Sequence, residues 1–117
     1  MLQAYFYLTL MHCITDFGLK KWGIGERKYG VNRYMLAHIG ISILGSFAAL
    51  SLAHVQSSNT LSFLLFTGVA HLGIDMIRPA LHRRLHISPN DSQFWSLLAI
   101  DQVLHLTTLY LGVQTIL

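Results

Sequence analysis

Hydrophobic positions in this chain form four long stretches, and short polar connections separate them. Each stretch falls within the about 17 to 25 residues that an α-helix uses to cross the hydrocarbon core of a bilayer. The pattern therefore predicts an all-α fold, a four-transmembrane-helix bundle that forms one domain over residues 1–117. The predicted helices cover residues 2–19, 34–55, 61–77 and 93–117.

Composition supports a membrane protein. Hydrophobic residues make up 53% of the chain and charged residues 11%, against about 25% charged residues in ordinary soluble domains. The mean hydropathy is +0.49. This balance excludes a disordered chain, a nucleic-acid-binding module and most soluble enzymes, although the net charge is +3.

The basic residues predict the orientation. All eight Lys and Arg residues lie in two clusters, one before residue 34 and the other from Arg78 to Arg84. The connection at residues 56–60 carries no charge. Because Lys and Arg are enriched in cytoplasmic loops, both basic connections are predicted to be cytoplasmic and both termini to lie outside. A second interpretation has the Arg78–Arg84 cluster also meet anionic lipid head groups or a phosphate substrate.

Three of the five acidic residues fall inside the apolar stretches, as do five of the seven His residues, of which His54 lies at the outer end of its stretch and the other four lie deeper. A carboxylate in the bilayer costs about 2.5 to 3.5 kcal/mol, so each one needs a partner and suggests a functional site. Residues four apart share one face of a helix. Three predicted helices carry a His and an Asp at this spacing: His12–Asp16, His71–Asp75 and Asp101–His105. In the predicted orientation these pairs and His38 converge in the cytoplasmic half of the bundle.

Imidazole and carboxylate together are the usual ligands of Zn, Mn or non-haem Fe, and soluble four-helix carboxylate proteins build metal sites from such pairs. The sequence therefore predicts a divalent metal ion, Zn before Mn or Fe. Asp101 is predicted as a ligand or general base, and His38 as a ligand or as the group that polarises the scissile bond. In the alternative interpretation the pairs are structural hydrogen bonds within and between helices. The predicted metal ligands are His12, Asp16, His71, Asp75 and His105.

Across nearly the whole chain these motifs resemble a bacterial family of small membrane proteins, the domain-of-unknown-function family 3307. The resemblance rests on an early HxxxD, a His opening the second helix, a second HxxxD and, most specifically, the DQxxH of Asp101, Gln102 and His105. The pattern is more distantly similar to membrane-bound metal-dependent hydrolases, which also carry His and Asp on transmembrane helices. Family members often have a longer, Lys-rich connection after the first helix than residues 23–32 here. The resemblance implies a protein of the bacterial inner membrane and no established substrate.

The leading functional hypothesis is a metal-dependent hydrolase that attacks a phosphoester or acyl ester of a lipid-like substrate near the cytoplasmic leaflet. Three alternatives stay open. Intramembrane His and Asp also serve proton or metal-ion transport, His on facing helices can ligate haem, and a metal can be structural in a non-catalytic subunit or effector. The expected partners are membrane lipids and no nucleic acid, and the limited surface of short helices is compatible with a homo-oligomer.

Overall fold

The computed structural model describes residues 1–18 and 32–117, and this part of the chain contains four α-helices and no β-strand. The all-α prediction is confirmed. The first basic connection, with Lys20, Lys21, Arg27 and Lys28, lies outside the described residues, as does the predicted end of the first helix at residue 19. The helices are α1 (Leu2–Gly18), α2 (Arg33–Leu52), α3 (Thr60–Arg84) and α4 (Ser92–Thr115).

Three of these helices, α2, α3 and α4, are long and apolar enough to cross a membrane. Helix α1 has 17 described residues, which rise about 26 Å, slightly less than the about 30 Å of a bilayer core. The bundle is also apolar on its outside, where large side chains such as Leu2, Leu44 and Val69 are 84%, 69% and 71% exposed. An apolar exterior around a partly polar interior is the arrangement expected in lipid.

The helices pack in a ring in chain order, with α4 returning to contact α1. Glycines allow close approach at two of the contacts. A Cβ on Gly68 would lie 2.9 Å from Cδ1 of Ile43 on α2, and one on Gly112 would lie 2.7 Å from Cε2 of Phe63 on α3. Small residues at such positions let membrane helices approach each other closely.

Helix α3 extends past the predicted end at Ile77, so Arg78 and Pro79 lie on the helix and the third connection begins only at Leu85. Proline lacks the N–H that a helix interior uses, but membrane helices tolerate it where their neighbours satisfy the backbone. Three basic side chains in the last turn also favour the extension, because cations stabilise the negative end of the helix dipole. They are His82, Arg83 and Arg84.

Helix α2 ends at Leu52, three residues before the predicted end, because the backbone turns into a left-handed conformation at His54 (φ 55°). Val55 N–H then donates to the Leu50 carbonyl at 2.9 Å, which closes the helix end in the manner of a Schellman motif. At its other end α2 is capped by Asn32, whose side-chain oxygen accepts a hydrogen bond from the Met35 N–H at 2.9 Å.

The interior of the bundle has two layers. An apolar layer contains Leu8, Leu50, Phe63, Leu109 and Val113 and fills the end of the bundle that holds the α2–α3 connection. The other layer is polar and lies on the side of Arg78. Ten of its residues are buried: His12, Thr15, Asp16, His38, Ser42, Thr67, His71, Asp75, Asp101 and His105. Every helix therefore places at least one ionisable side chain in one shared layer.

Candidate metal centre

Each of the four helices turns its predicted site residues inward. The seven residues are 0% to 7% exposed, with His38 at the lower limit and His12 and His71 at the upper. The spacing of four residues explains this, because one helical face carries both members of each pair. Helix α1 contributes His12 and Asp16, and α2 contributes His38. Helix α3 contributes His71 and Asp75, and α4 contributes Asp101 and His105.

Four of these side chains from three helices meet at one point, and we name Asp16, His38, His71 and Asp75 the first group. His38 Nε2 lies 2.9 Å from Asp75 Oδ2 and 3.0 Å from His71 Nε2. His71 Nε2 lies 3.1 Å from the same carboxylate oxygen. Asp16 Oδ1 lies 3.3 Å from His38 Nε2 and 4.0 Å from His71 Nε2.

These distances fit the ligand shell of a small cation. Tetrahedral Zn with ligands at 2.0–2.1 Å separates neighbouring ligand atoms by about 3.4 Å. The separations in the first group, 2.9 to 4.0 Å, lie on both sides of this value. Two imidazole nitrogens and two carboxylate oxygens are also a donor set that Zn, Mn and Fe accept. The first group can therefore hold a divalent cation with small movements of the side chains.

A second group, Asp75, Asp101 and His105, shares Asp75 with the first and joins α3 to α4. His105 Nε2 lies 3.4 Å from Asp75 Oδ1, the carboxylate oxygen that the contacts of the first group do not use. His105 Nδ1 lies 2.8 Å from the backbone carbonyl of Asp101 and 3.6 Å from its Oδ2. Asp75 thus presents one oxygen to each group.

His12 lies beside both groups and belongs to neither. Its ring centroid is 4.9 Å from that of His105 and 5.4 Å from that of His71. Its Nε2 is 3.2 Å from Gln102 Oε1, and because an amide oxygen only accepts, the imidazole donates this hydrogen bond. The structure therefore places His12 against the edge of the site as a hydrogen-bonding neighbour of the ligand groups.

Gln102 has a role that the sequence analysis did not assign. Its Nε2 donates to Asp16 Oδ2 at 2.8 Å and to Asp101 Oδ2 at 3.1 Å. One amide therefore fixes carboxylates of both groups while its oxygen accepts from His12. In the sequence, Gln102 directly follows Asp101. One step along a helix rotates a side chain by about 100° from its predecessor, and here this rotation brings Gln102 to the side of α4 that faces α1.

Arg78 also reaches the site, although the sequence analysis assigned it to a loop. Its Nε lies 3.4 Å from Asp101 Oδ1, and its side chain is only 18% exposed. This position follows from the continuation of α3 past Pro79, since Arg78 lies less than one turn after Asp75 on the same helix. Three carboxylates and one guanidinium leave two negative charges when the imidazoles are neutral, which one divalent cation would balance.

Fold and site together define a class: a small helical bundle with three helices able to cross a membrane and buried His and Asp groups that could hold a metal ion. The chain belongs to a family of unknown function, DUF3307, whose model matches residues 4–117. The resemblance to family 3307 is thereby confirmed. Neither a curated protein nor a solved structure matches the chain.

Proposed function

We propose that the protein is a membrane-embedded, metal-dependent hydrolase that acts on a lipid-like or phosphoester substrate near the cytoplasmic leaflet of the bacterial inner membrane. The observation that carries the proposal is the convergence of two His and two Asp in the first group, with the second group beside it, in a buried layer of the bundle. A bound divalent cation would polarise a substrate oxygen and make a water nucleophilic at neutral pH. Zn is the proposed ion, with Mn or Fe as alternatives.

A cavity beside the site supplies a place for that water. Its volume is about 20 Å³, and about 10 to 15 Å³ is enough for one water. His12, His71 and His105 line one part of its wall. The rest of the polar wall consists of hydroxyl groups: Thr15, Ser42, Ser46, Thr67 and Thr108.

The hydroxyl groups are arranged to accept hydrogen bonds from such a water. Thr15, Thr67 and Thr108 donate their own protons to backbone carbonyls of their helices, at 3.2, 2.9 and 2.9 Å. Their oxygens keep lone pairs for the protons of a water in the cavity. A water that donates both protons to these oxygens keeps its own lone pairs available to a cation on the side of the cavity that the His side chains line.

An apolar groove between α3 and α4 supports a lipid-like substrate. Arg78 and Asp101 line the groove together with aliphatic side chains, so the groove runs beside the polar layer while its own surface is apolar. In lipid, such a groove accepts an acyl chain, and Arg78 carries donors suited to a phosphate or an ester oxygen. The aliphatic lining residues are Ile74, Ile77, Leu81, Leu97, Ile100 and Leu104.

Metal content and hydrolysis test the proposal on protein purified in detergent. We expect bound divalent metal in elemental analysis and hydrolysis of a member of a lipid phosphate and ester panel. His71→Ala and Asp75→Ala should lower the bound metal and the turnover at least tenfold. His86→Ala is the matched control, since His86 is exposed in the third connection. Full metal content and full activity in both site variants would overturn the proposal.

Transport of protons or metal ions is the second candidate, and the hydroxyl-lined cavity is the observation that favours it. A conduction path would have to continue to the other end of the bundle, where Leu8, Leu50, Phe63 and Val113 form the apolar layer. We therefore rank hydrolysis above transport. Ion flux in proteoliposomes that is lost in Asp101→Asn would reverse this ranking.

A further inference from the structure

We propose that a second divalent cation binds to the second group, so that the carboxylate of Asp75 bridges two ions. This inference rests on the proposed function and adds to it a second coordination site and the class of the reacting group. It starts from the geometry of Asp75, whose Oδ2 lies 2.9 Å from His38 Nε2 while its Oδ1 lies 3.4 Å from His105 Nε2. A bridging carboxylate presents its two oxygens in this way.

The hydrogen bonds of His105 assign its protons. Its Nδ1 lies 2.8 Å from the backbone carbonyl of Asp101, and a carbonyl only accepts, so Nδ1 carries the hydrogen. In the neutral ring Nε2 then holds a lone pair. Imidazoles that bind metals are usually oriented by this kind of Nδ1 donation.

The lone pair of His105 Nε2 faces a buried carboxylate oxygen. His105 is 3% exposed, and its Nε2 makes no hydrogen bond to any residue in the described part of the chain. The 3.4 Å to Asp75 Oδ1 equals the separation of about 3.4 Å between neighbouring ligands of a tetrahedral cation. The lone pairs of His105 Nε2 and Asp75 Oδ1 repel each other, and a cation between these atoms would replace the repulsion with two metal–ligand bonds.

The number of ligands separates the two sites. The first group supplies four protein ligands, which completes a tetrahedral shell, and structural Zn sites are closed in this way. The second group supplies three, and catalytic sites keep the remaining position for water or substrate. His105 lines the water-sized cavity, so the open position would lie on the side of the second group that faces this cavity. We therefore assign the reacting group of the substrate to the second ion.

Charge indicates what that group is. The three carboxylates and the Arg78 guanidinium carry a net charge of −2, which one divalent cation neutralises. A second divalent cation would leave a net charge of +2 in a buried layer. The second ion is therefore expected to bind more weakly than the first and together with an anion, because buried charge needs a partner. A phosphoester carries this charge and an acyl ester does not. The inferred substrate class is thus a phosphoester with a lipid-like tail.

Equilibrium dialysis of the detergent-solubilised protein against Mn²⁺ tests the second site, with inorganic phosphate as the anionic probe. We expect one tight ion, a second weaker ion, and a roughly tenfold gain in affinity for the second ion when phosphate is added. The electron paramagnetic resonance spectrum should change from isolated Mn²⁺ to a coupled pair at the second step. A single class of site that ignores phosphate would overturn the inference.

Variants separate this inference from the proposed function. Asp101→Asn and His105→Gln should lose the weaker ion and the effect of phosphate but keep the tight ion, which also shows that they fold. Asp16→Asn should weaken the tight ion, and His86→Ala should bind both ions as the unchanged protein does. One tight ion that is weakened in Asp16→Asn, with no weaker ion and no effect of phosphate in the unchanged protein, contradicts the second site alone. A protein that binds no ion at all contradicts the proposed function itself.

Discussion

Gln102 fixes three ionisable site residues through a single amide. It donates to Asp16 Oδ2 and Asp101 Oδ2 and accepts from His12 Nε2. Such contacts orient ligands and hold carboxylates in place before an ion binds. The residue lies on α4, whereas Asp16 and His12 lie on α1, so the same amide also joins the first and last helices of the bundle.

Replacement of Gln102 should weaken metal binding without removing a ligand. Gln102→Leu keeps the approximate volume and removes both donors, and we expect the metal dissociation constant to rise about 10- to 100-fold. A competition titration against a metal-binding dye measures this change. Gln93→Leu is the control, because Gln93 is exposed near the start of the same helix. Equal dissociation constants for the two variants would show that Gln102 does not position the ligands.

At the residue scale, the sequence predicts which side chains are buried better than it predicts which side chains touch. The i, i+4 spacing of His71 and Asp75 sets both on one face whatever surrounds the helix. The roles of Gln102 and Arg78 depend on which helix lies opposite and on where α3 ends, and neither follows from local spacing. His12 has the same spacing as His71, but its neighbours direct its Nε2 to an amide.

At the scale of single helices, α3 contributes most to the site. It carries His71, Asp75 and Arg78 on consecutive turns and contacts both α2 and α4. The sequence predicted its apolar part correctly and ended it at Ile77, just before the basic cluster and Pro79, and proline is usually a helix boundary. In the structure the helix continues to Arg84, and this continuation is what brings a guanidinium to Asp101.

The packing of α3 against α4 should depend on the small size of Gly112. A Cβ at this position meets the fully buried ring of Phe63 at 2.7 Å, so Gly112→Ala should destabilise the bundle by about 1 to 3 kcal/mol. Gly73→Ala is the matched control, since nothing lies within 4 Å of a Cβ there and alanine is the better helix former. Thermal unfolding in detergent compares the two. A loss of stability in Gly73→Ala as large as in Gly112→Ala would contradict this packing.

At the scale of the whole molecule, the bundle keeps its charged groups in one layer and its apolar side chains both outside and at one end of the interior. Composition and the two basic clusters were enough to predict four helices and a membrane-type exterior. They did not predict that the helices form a ring in chain order, because the order depends on close contacts such as that of Gly68 with Ile43. The convergence of the site residues required that ring.

Metal binding should stabilise the entire bundle. An ion bound only by the folded state adds about 2.7 kcal/mol at a free concentration 100 times its dissociation constant. Removal of the ion by a chelator should therefore lower the Tm by several degrees, and Asp75→Asn should abolish the difference between treated and untreated protein. His86→Ala should keep it. A Tm that does not respond to the chelator in the unchanged protein would show that no ion contributes to folding.

Asp75 belongs to both ligand groups, but the groups are completed at different stages of translation. Asp16, His38, His71 and Asp75 are all present once the ribosome has added residue 75, whereas the second group waits for Asp101 and His105 on α4. The four-ligand set therefore depends on α1, α2 and α3 alone, whereas the three-ligand set also requires that α4 packs against α3. A chain that ends before α4 would lack two of the three members of the second group, so it would keep only the four-ligand set.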